Sequence, residues 1–296
     1  MRASVSEAAP GGELRRVASD DGTRLAWRER GEGPPLVLCN GITTSEFFWR
    51  RVLPRWQQRR RVITWDYKGH GASAPARTAA GTSMEAMADD LRRVLDAAGI
   101  ERAPVVGFSL GSQVVFEACR LHADRFSAVV SLLGPAGRVF DTALPPIGGP
   151  MAQRLLTSLS ESGVGAAMFG LGSLMRAPGA AVLIRAMGLT GHVPDRDITA
   201  FKEHFAAMHH ATVAAIARAA GEHDARDVLP GLTMPLLIIA GDRDRFAPAA
   251  TVGVPLAALQ PRAELLRLPE GTHTALFEQP MDVALAIEAF LLRHGV

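Results

Sequence analysis

The 296-residue sequence has only two cysteines, Cys39 and Cys119. Two cannot build a disulfide framework and are too few for a zinc site by themselves, so both are expected as buried free thiols in a reducing compartment. Lysine is nearly missing: Lys68 and Lys202 are the only two among 32 basic residues. With the abundance of Ala, we take the Arg excess as a mark of GC-rich coding rather than of function. An excess of one charge sign is missing too. The 32 Lys+Arg stand against 30 Asp+Glu, a net charge of +2, which speaks against the basic footprint of a nucleic-acid binder. Long apolar runs are also lacking. The uncharged mid-chain stretch Ser162 to Met175 is short for a membrane span. Met1 to Glu13 is small and polar and carries no apolar core of a secretory leader. The expectation is a soluble, cytoplasmic chain with no nucleic-acid partner and no stable membrane insertion. Its oligomeric state is not legible.

What is present reads as globular. Hydrophobic residues make up 48% and charged residues 21%, an ordinary balance that excludes wholesale disorder. Short apolar runs alternate with helix-like stretches. Leu36 to Cys39, Arg61 to Trp65, Pro104 to Gly107, Ala128 to Leu133, Pro235 to Ala240 and Ala263 to Leu268 read as strands. Phe47 to Gln58, Met84 to Ala98, Leu110 to His122 and Asp282 to Arg293 read as helices. The second of these has Thr82 or Ser83 as its cap and Gly99 as its stop. In the third, Leu110, Val114, Ala118 and Leu121 share one face. Fully apolar strands alternating with helices predict a mostly parallel sheet covered on both sides. Val17 to Ser19 and Leu25 to Arg28, with Asp20-Asp21-Gly22 between them, predict an N-terminal hairpin.

The rhythm breaks between about Gly134 and Leu229, where helical patterning continues without a convincing strand. Five methionines fall here: Met151, Met168, Met175, Met187 and Met208. The reading is an α/β core, residues 1–134 and 227–296, with a helical cap over 135–226 and a loose tail over 1–12. The uncharged stretch Gly163 to Gly172 and the five methionines suit a forgiving apolar pocket, or they simply pack the cap onto the core.

Gly107-Phe108-Ser109-Leu110-Gly111 follows a Val-rich strand and opens an amphipathic helix. This is G-x-S-x-G in the strand–turn–helix setting of a nucleophile elbow. A Ser on so sharp a turn leaves no room for neighbouring side chains, and Gly107 and Gly111 supply none. The free N–H groups of the helix N-terminus point where an oxyanion would form. A Ser nucleophile needs a base, and the base needs a carboxylate. Gly241-Asp242-Arg243-Asp244 and Gly271-Thr272-His273 each follow a strand and give the order Ser, Asp, His.

With Asn40-Gly41-Ile42, Asp66 to Ser73 and Gly271 to Pro280, these segments make the sequence resemble the α/β-hydrolase superfamily. The resemblance implies an eight-stranded, mostly parallel sheet with helices on both faces and a helical cap inserted after strand 6. It implies Asp244 as the acid, because Gly241, Asp244 and Pro248 fit the family's G-x-x-D-x-x-x-P; Asp242 then caps or bonds within the turn. His273 is the implied base, although Thr272 stands where relatives usually carry Gly. The implied oxyanion donors are the backbone N–H groups of Ile42 and Leu110. Many relatives read His-Gly where this chain reads Asn40-Gly41, and Asn40 can hold the loop by side-chain hydrogen bonds. His70 belongs to a structural Gly-rich turn. His204, His209 and His210 lie on one cap helix without the spacing of a helical zinc site. No metal and no cofactor are expected. The resemblance implies a serine hydrolase acting on a carboxylic ester or related acyl substrate, and the uncharged, Met-bearing cap adds the expectation of an apolar acyl group. Carbon–carbon bond hydrolase, lactonase, perhydrolase and acyltransferase use the same triad, and a ligand-binding relative would keep it as a vestige. Epoxide hydrolases and dehalogenases of the family use an Asp nucleophile, against which Ser109 argues.

Overall fold

The computed structural model describes residues 12–138 and 193–296. Their strands are β1 (Leu14–Ala18), β2 (Arg24–Arg30), β3 (Pro35–Cys39), β4 (Arg61–Trp65), β5 (Ala103–Phe108), β6 (Phe126–Leu132), β7 (Leu236–Gly241) and β8 (Glu264–Leu268). They form one sheet in the order β1-β2-β4-β3-β5-β6-β7-β8. β1 and β2 make the antiparallel hairpin, β2 runs antiparallel to β4, and all later pairings are parallel. Every residue of β5 and β7 is buried, as continuous apolar strands covered on both faces require.

The helices, numbered along the described residues, are α1 (Leu53–Trp56), α2 (Met84–Ala97), α3 (Leu110–His122), α4 (Asp195–Ala207), α5 (His210–Glu222), α6 (Val254–Leu259), α7 (Ala275–Glu278) and α8 (Pro280–Arg293). Ser83, not Thr82, caps α2 by accepting from the Ala86 N–H, and Gly99 beyond its end takes φ +64°. Two apolar layers flank the sheet. One packs Leu91, Val94, Val114 and Phe116 of α2 and α3 against Val37, Val105 and Ile238. The other packs Trp49, Trp56, Ile287 and Phe290 against Leu38, Val106 and Val130.

Three local expectations change. The single helix predicted over Phe47–Gln58 is a 3-10 turn, Glu46–Trp49, followed by the one-turn α1. Pro54 sits in the first turn of α1, where its missing N–H costs no bond, so the helix restarts there instead of running through. Leu121 is 43% exposed, whereas Leu110 through Cys119 are buried. α3 crosses the interior, so its apolar stripe does not mark its buried face. The last helix begins at Pro280, two residues ahead of the expected start.

β3 pairs β4 on one side and β5 on the other. The chain order reverses there, and the crevice beyond the carboxyl ends of β3 and β5 is where an open α/β sheet holds its ligands. Cys39 and Cys119 are buried free thiols, each pushed up to about 12 by desolvation. Between β6 and β7 the described residues include two helices, α4 and α5. α5 packs on the core, with Ile216 and Ala220 in the α2–α3 layer and the Gln113 amide donating 2.9 Å to the Ala220 carbonyl. α4 is tied down by Asp197, fully buried in its first turn and ion-paired with Arg50 and Arg51. Met208 is buried beside Phe205 and Val213. The other four cap methionines and Gly163–Gly172 lie outside the described residues. Among the described residues no helix is long and apolar enough to cross a membrane.

Candidate active site

Ser109 stands between β5 and α3 at φ 53°, ψ −119°, a strained conformation for a residue with a side chain. The turn is possible because its flanks are glycines. A Cβ on Gly107 would lie 2.7 Å from the Ser112 nitrogen, and one on Gly111 would lie 2.8 Å from the Asn40 carbonyl oxygen. Behind the turn the buried Ser112 hydroxyl donates 2.9 Å to the Gly107 carbonyl, and Ser131 donates 3.0 Å to Ser112.

Asp244 and His273 reach Ser109 from the loops after β7 and β8. Asp244 is buried. Its Oδ1 accepts from the N–H groups of Phe246, at 2.7 Å, and Ala247, at 3.0 Å. Its Oδ2 lies 2.8 Å from His273 Nδ1, and His273 Nε2 lies 2.9 Å from Ser109 Oγ. A carboxylate only accepts, so Nδ1 carries the proton and Nε2 is left to accept from the Ser109 hydroxyl. The rings of Phe108, at 5.4 Å, and Phe246, at 4.9 Å, flank the imidazole. Asp242 neither caps nor bonds within its own turn as expected. It is exposed and accepts from Arg267 Nε on the neighbouring strand at 2.9 Å.

The loop after β3 is held from beneath. Asn40 is fully buried, donates 2.6 Å to the Trp65 carbonyl and accepts 2.7 Å from Trp49 Nε1. The Tyr67 hydroxyl donates 2.6 Å to the Asn40 carbonyl. A Cβ on Gly41 would lie 2.8 Å from the Phe108 ring. His70 Nδ1 donates 3.0 Å to the Lys68 carbonyl, and its Nε2 accepts from the Thr43 N–H at 3.3 Å. Burial pushes His70 down to about 4 and keeps it neutral, as an acceptor must be. Ile42, like Phe201, packs against the cluster of Phe205, Met208 and Val213 from α4, α5 and the turn between them.

A family model described as alpha/beta hydrolase fold matches residues 34–155. Epoxide hydrolase A of Mycobacterium tuberculosis is 33% identical over 129 residues, 43% of this chain and 40% of that protein. The chain therefore matches less than half the length of that relative. A solved esterase from Thermogutta terrifontis superposes with TM-score 0.76 at 23% identity, over 96% of this chain and 100% of its own. The enol-lactonase of Burkholderia xenovorans gives TM-score 0.75 at 23% identity, over 94% and 100%. The chain has the α/β-hydrolase fold, and residues 34–155 carry that family's sequence pattern.

In this α/β hydrolase, Ser109, His273 and Asp244 meet as the sequence order suggested, and Asn40 braces its loop through both ends of its amide. The three clustered histidines do not share a helix. His204 on α4 has its ring 4.8 Å from that of Phe47, His209 caps α5 by accepting from the Thr212 N–H, and His210 opens α5 and bonds the Phe205 carbonyl. Among the described residues no three metal-ligating side chains come together. Sequence reasoning missed the polar cluster of Thr272, Thr274 and Glu278 around the base. Its signal is the Thr at 272, where relatives usually carry Gly. It also missed Trp49 and Tyr67, which look like ordinary core aromatics until their polar atoms find Asn40.

Proposed function

We propose that this α/β hydrolase cleaves a carboxylic ester or related acyl substrate through an acyl-enzyme on Ser109. The observation that carries the reading is the unbroken chain from Ser109 Oγ to His273 Nε2, 2.9 Å, and from His273 Nδ1 to Asp244 Oδ2, 2.8 Å. His273 takes the hydroxyl proton as Ser109 Oγ bonds to the carbonyl carbon. Asp244 holds the tautomer and stabilises the imidazolium. The backbone N–H groups of Ile42 and Leu110 face the oxyanion of the tetrahedral intermediate. Collapse expels the alcohol, which takes the proton from His273. Water, deprotonated by the same His273, then attacks the acyl carbon and frees Ser109 and the acid. No metal or cofactor enters this reading. The buried free thiols fit a cytoplasmic, reducing setting.

Epoxide opening is the reading that the relative's name suggests, and the nucleophile argues against it. An Asp nucleophile gives an ester that water can cleave at its carbonyl. Ser109 opening an epoxide would give an ether, with no carbonyl for a His-activated water to attack. The acyl part is apolar in this proposal because Ile42, beside the nucleophile turn, packs against the apolar cluster of Phe205, Met208 and Val213. Each buried methylene contributes up to about 0.8 kcal/mol, provided that the gain is made in the transition state. The test is kcat/KM along p-nitrophenyl esters from acetate to decanoate, with lactones and amides in parallel. The expected result is a rise toward medium chains. A steady fall from acetate onward defeats the apolar pocket, and no turnover of any acyl compound defeats the function.

A further inference from the structure

We propose that Glu278 is a positioning residue for His273, acting through the hydroxyls of Thr272 and Thr274. The inference rests on the triad reading above. Thr272 Oγ1 lies 2.8 and 2.9 Å from the two carboxylate oxygens of Glu278. Thr274 Oγ1 donates to Glu278 Oε1 at 2.6 Å. The Thr274 N–H donates 3.2 Å to Thr272 Oγ1. One carboxylate thus grips the residues on both sides of the base. It only accepts, so both hydroxyl protons turn toward it, and Thr272 Oγ1 keeps its lone pairs for the Thr274 amide.

The loop needs such a grip. The backbone after His273 continues into α7, a helix of four residues, and a single helical turn does not hold itself. The His273 ring must keep two short contacts at once, to Asp244 and to Ser109, and its side chain is 15% exposed. Glu278 closes α7 and reaches back six residues to Thr272. The fold of the short helix and the placement of the base therefore depend on the same carboxylate. Loss of this grip lets the imidazole wander, which slows proton transfer without touching the substrate. The signature is a fall in kcat with KM unchanged.

The experiment uses the full chain and its best p-nitrophenyl ester. Glu278→Ala and Thr272→Val should each lower kcat by roughly 10- to 100-fold, the scale of a small misplacement of a catalytic group. KM should hold, and the fraction of molecules titrated by a fluorophosphonate at completion should stay that of the wild type. The double variant should fall no further than the worse single, because both remove one grip. Thr272→Ser, which keeps the hydroxyl, should restore turnover, and Glu278→Gln should restore part of it. A normal kcat in Glu278→Ala, additive losses, or a loss matched by fewer titratable molecules overturns the proposal. Should Glu278→Ala fail to fold, Thr272→Val and Glu278→Gln carry the same test. Ser109→Ala separates the two readings. If it stays active, the triad has failed; if it is inactive while Glu278→Ala is normal, only this proposal has failed.

Discussion

The two sides of the candidate site are held in place by different physics. On the nucleophile side the constraint is steric and lies in the backbone. Ser109 keeps a left-handed φ of 53°, and Gly41, Gly107 and Gly111 leave no space for a Cβ. Beneath them Asn40, Tyr67 and His70 are buried completely, each with a polar bond. On the base side the constraint is made of side-chain hydrogen bonds, running from the buried Asp244 to the half-buried Glu278. Asp244 is pinned by two loop N–H groups, and the residues flanking His273 are gripped by Glu278. The first side should tolerate almost no added atom. The second should respond to substitution in graded steps.

The largest effect tests the point where the sides meet. Ser109→Ala should keep the fold and lower kcat/KM on the order of 10⁶-fold, the scale of removing a triad nucleophile. A variant that keeps more than a tenth of the activity contradicts the assignment. On the base side, Asp244→Asn should cost on the order of 10⁴ in kcat by favouring the wrong imidazole tautomer. Asp242→Asn should stay near wild type, because it loses only an exposed pair with Arg267. The reverse order would make Asp242 the acid.

A pH experiment probes the nucleophile side. His70 is lowered from 6.5 to about 4 in the folded protein. As pH falls below about 6.5, the unfolded chain takes up the proton first, so the stability that the neutral His70 provides is complete above 6.5 and is lost toward 4. The loss should reach about 3 kcal/mol. Asp66 and Asp90, raised to about 6 by burial, act with the opposite sign. They are common to wild type and His70→Gln, so the difference between urea unfolding curves of the two chains isolates His70. An equal pH slope in both refutes its part.

The smallest effect compares one added atom with one lost hydroxyl. Gly111→Ala should lower unfolding free energy by about 1–3 kcal/mol through overpacking. Thr272→Ala should cost about 1 kcal/mol, the scale of a single hydrogen bond. Equal losses would erase the distinction between the two sides.

The parts of this structure that were legible in the sequence are those that local chemistry decides. β5 and β7 are read from continuous apolar runs because both faces are covered. The elbow is read from two glycines around a serine, because only that spacing clears the backbone of Ser112 and Asn40. The hydrogen bonds of Asn40 were one of its possible roles and prove to be its contacts. What was not legible depends on chain folding back over itself. The pairing of Asp242 with Arg267 crosses from the β7 loop to β8. Glu278 returns to Thr272 only after α7 has formed. His204, His209 and His210 look like one helix face until the turn at His209 divides them. The exposure of Leu121 follows from the depth at which α3 runs, which its periodicity does not carry.

The proposed mechanism turns on His273 activating Ser109 as a nucleophile. Labelling the folded chain with a fluorophosphonate, followed by peptide mass spectrometry, tests it most directly. One adduct is expected, on Ser109, absent in Ser109→Ala and strongly slowed in His273→Ala. An adduct on another residue, or none on the folded protein, would contradict it.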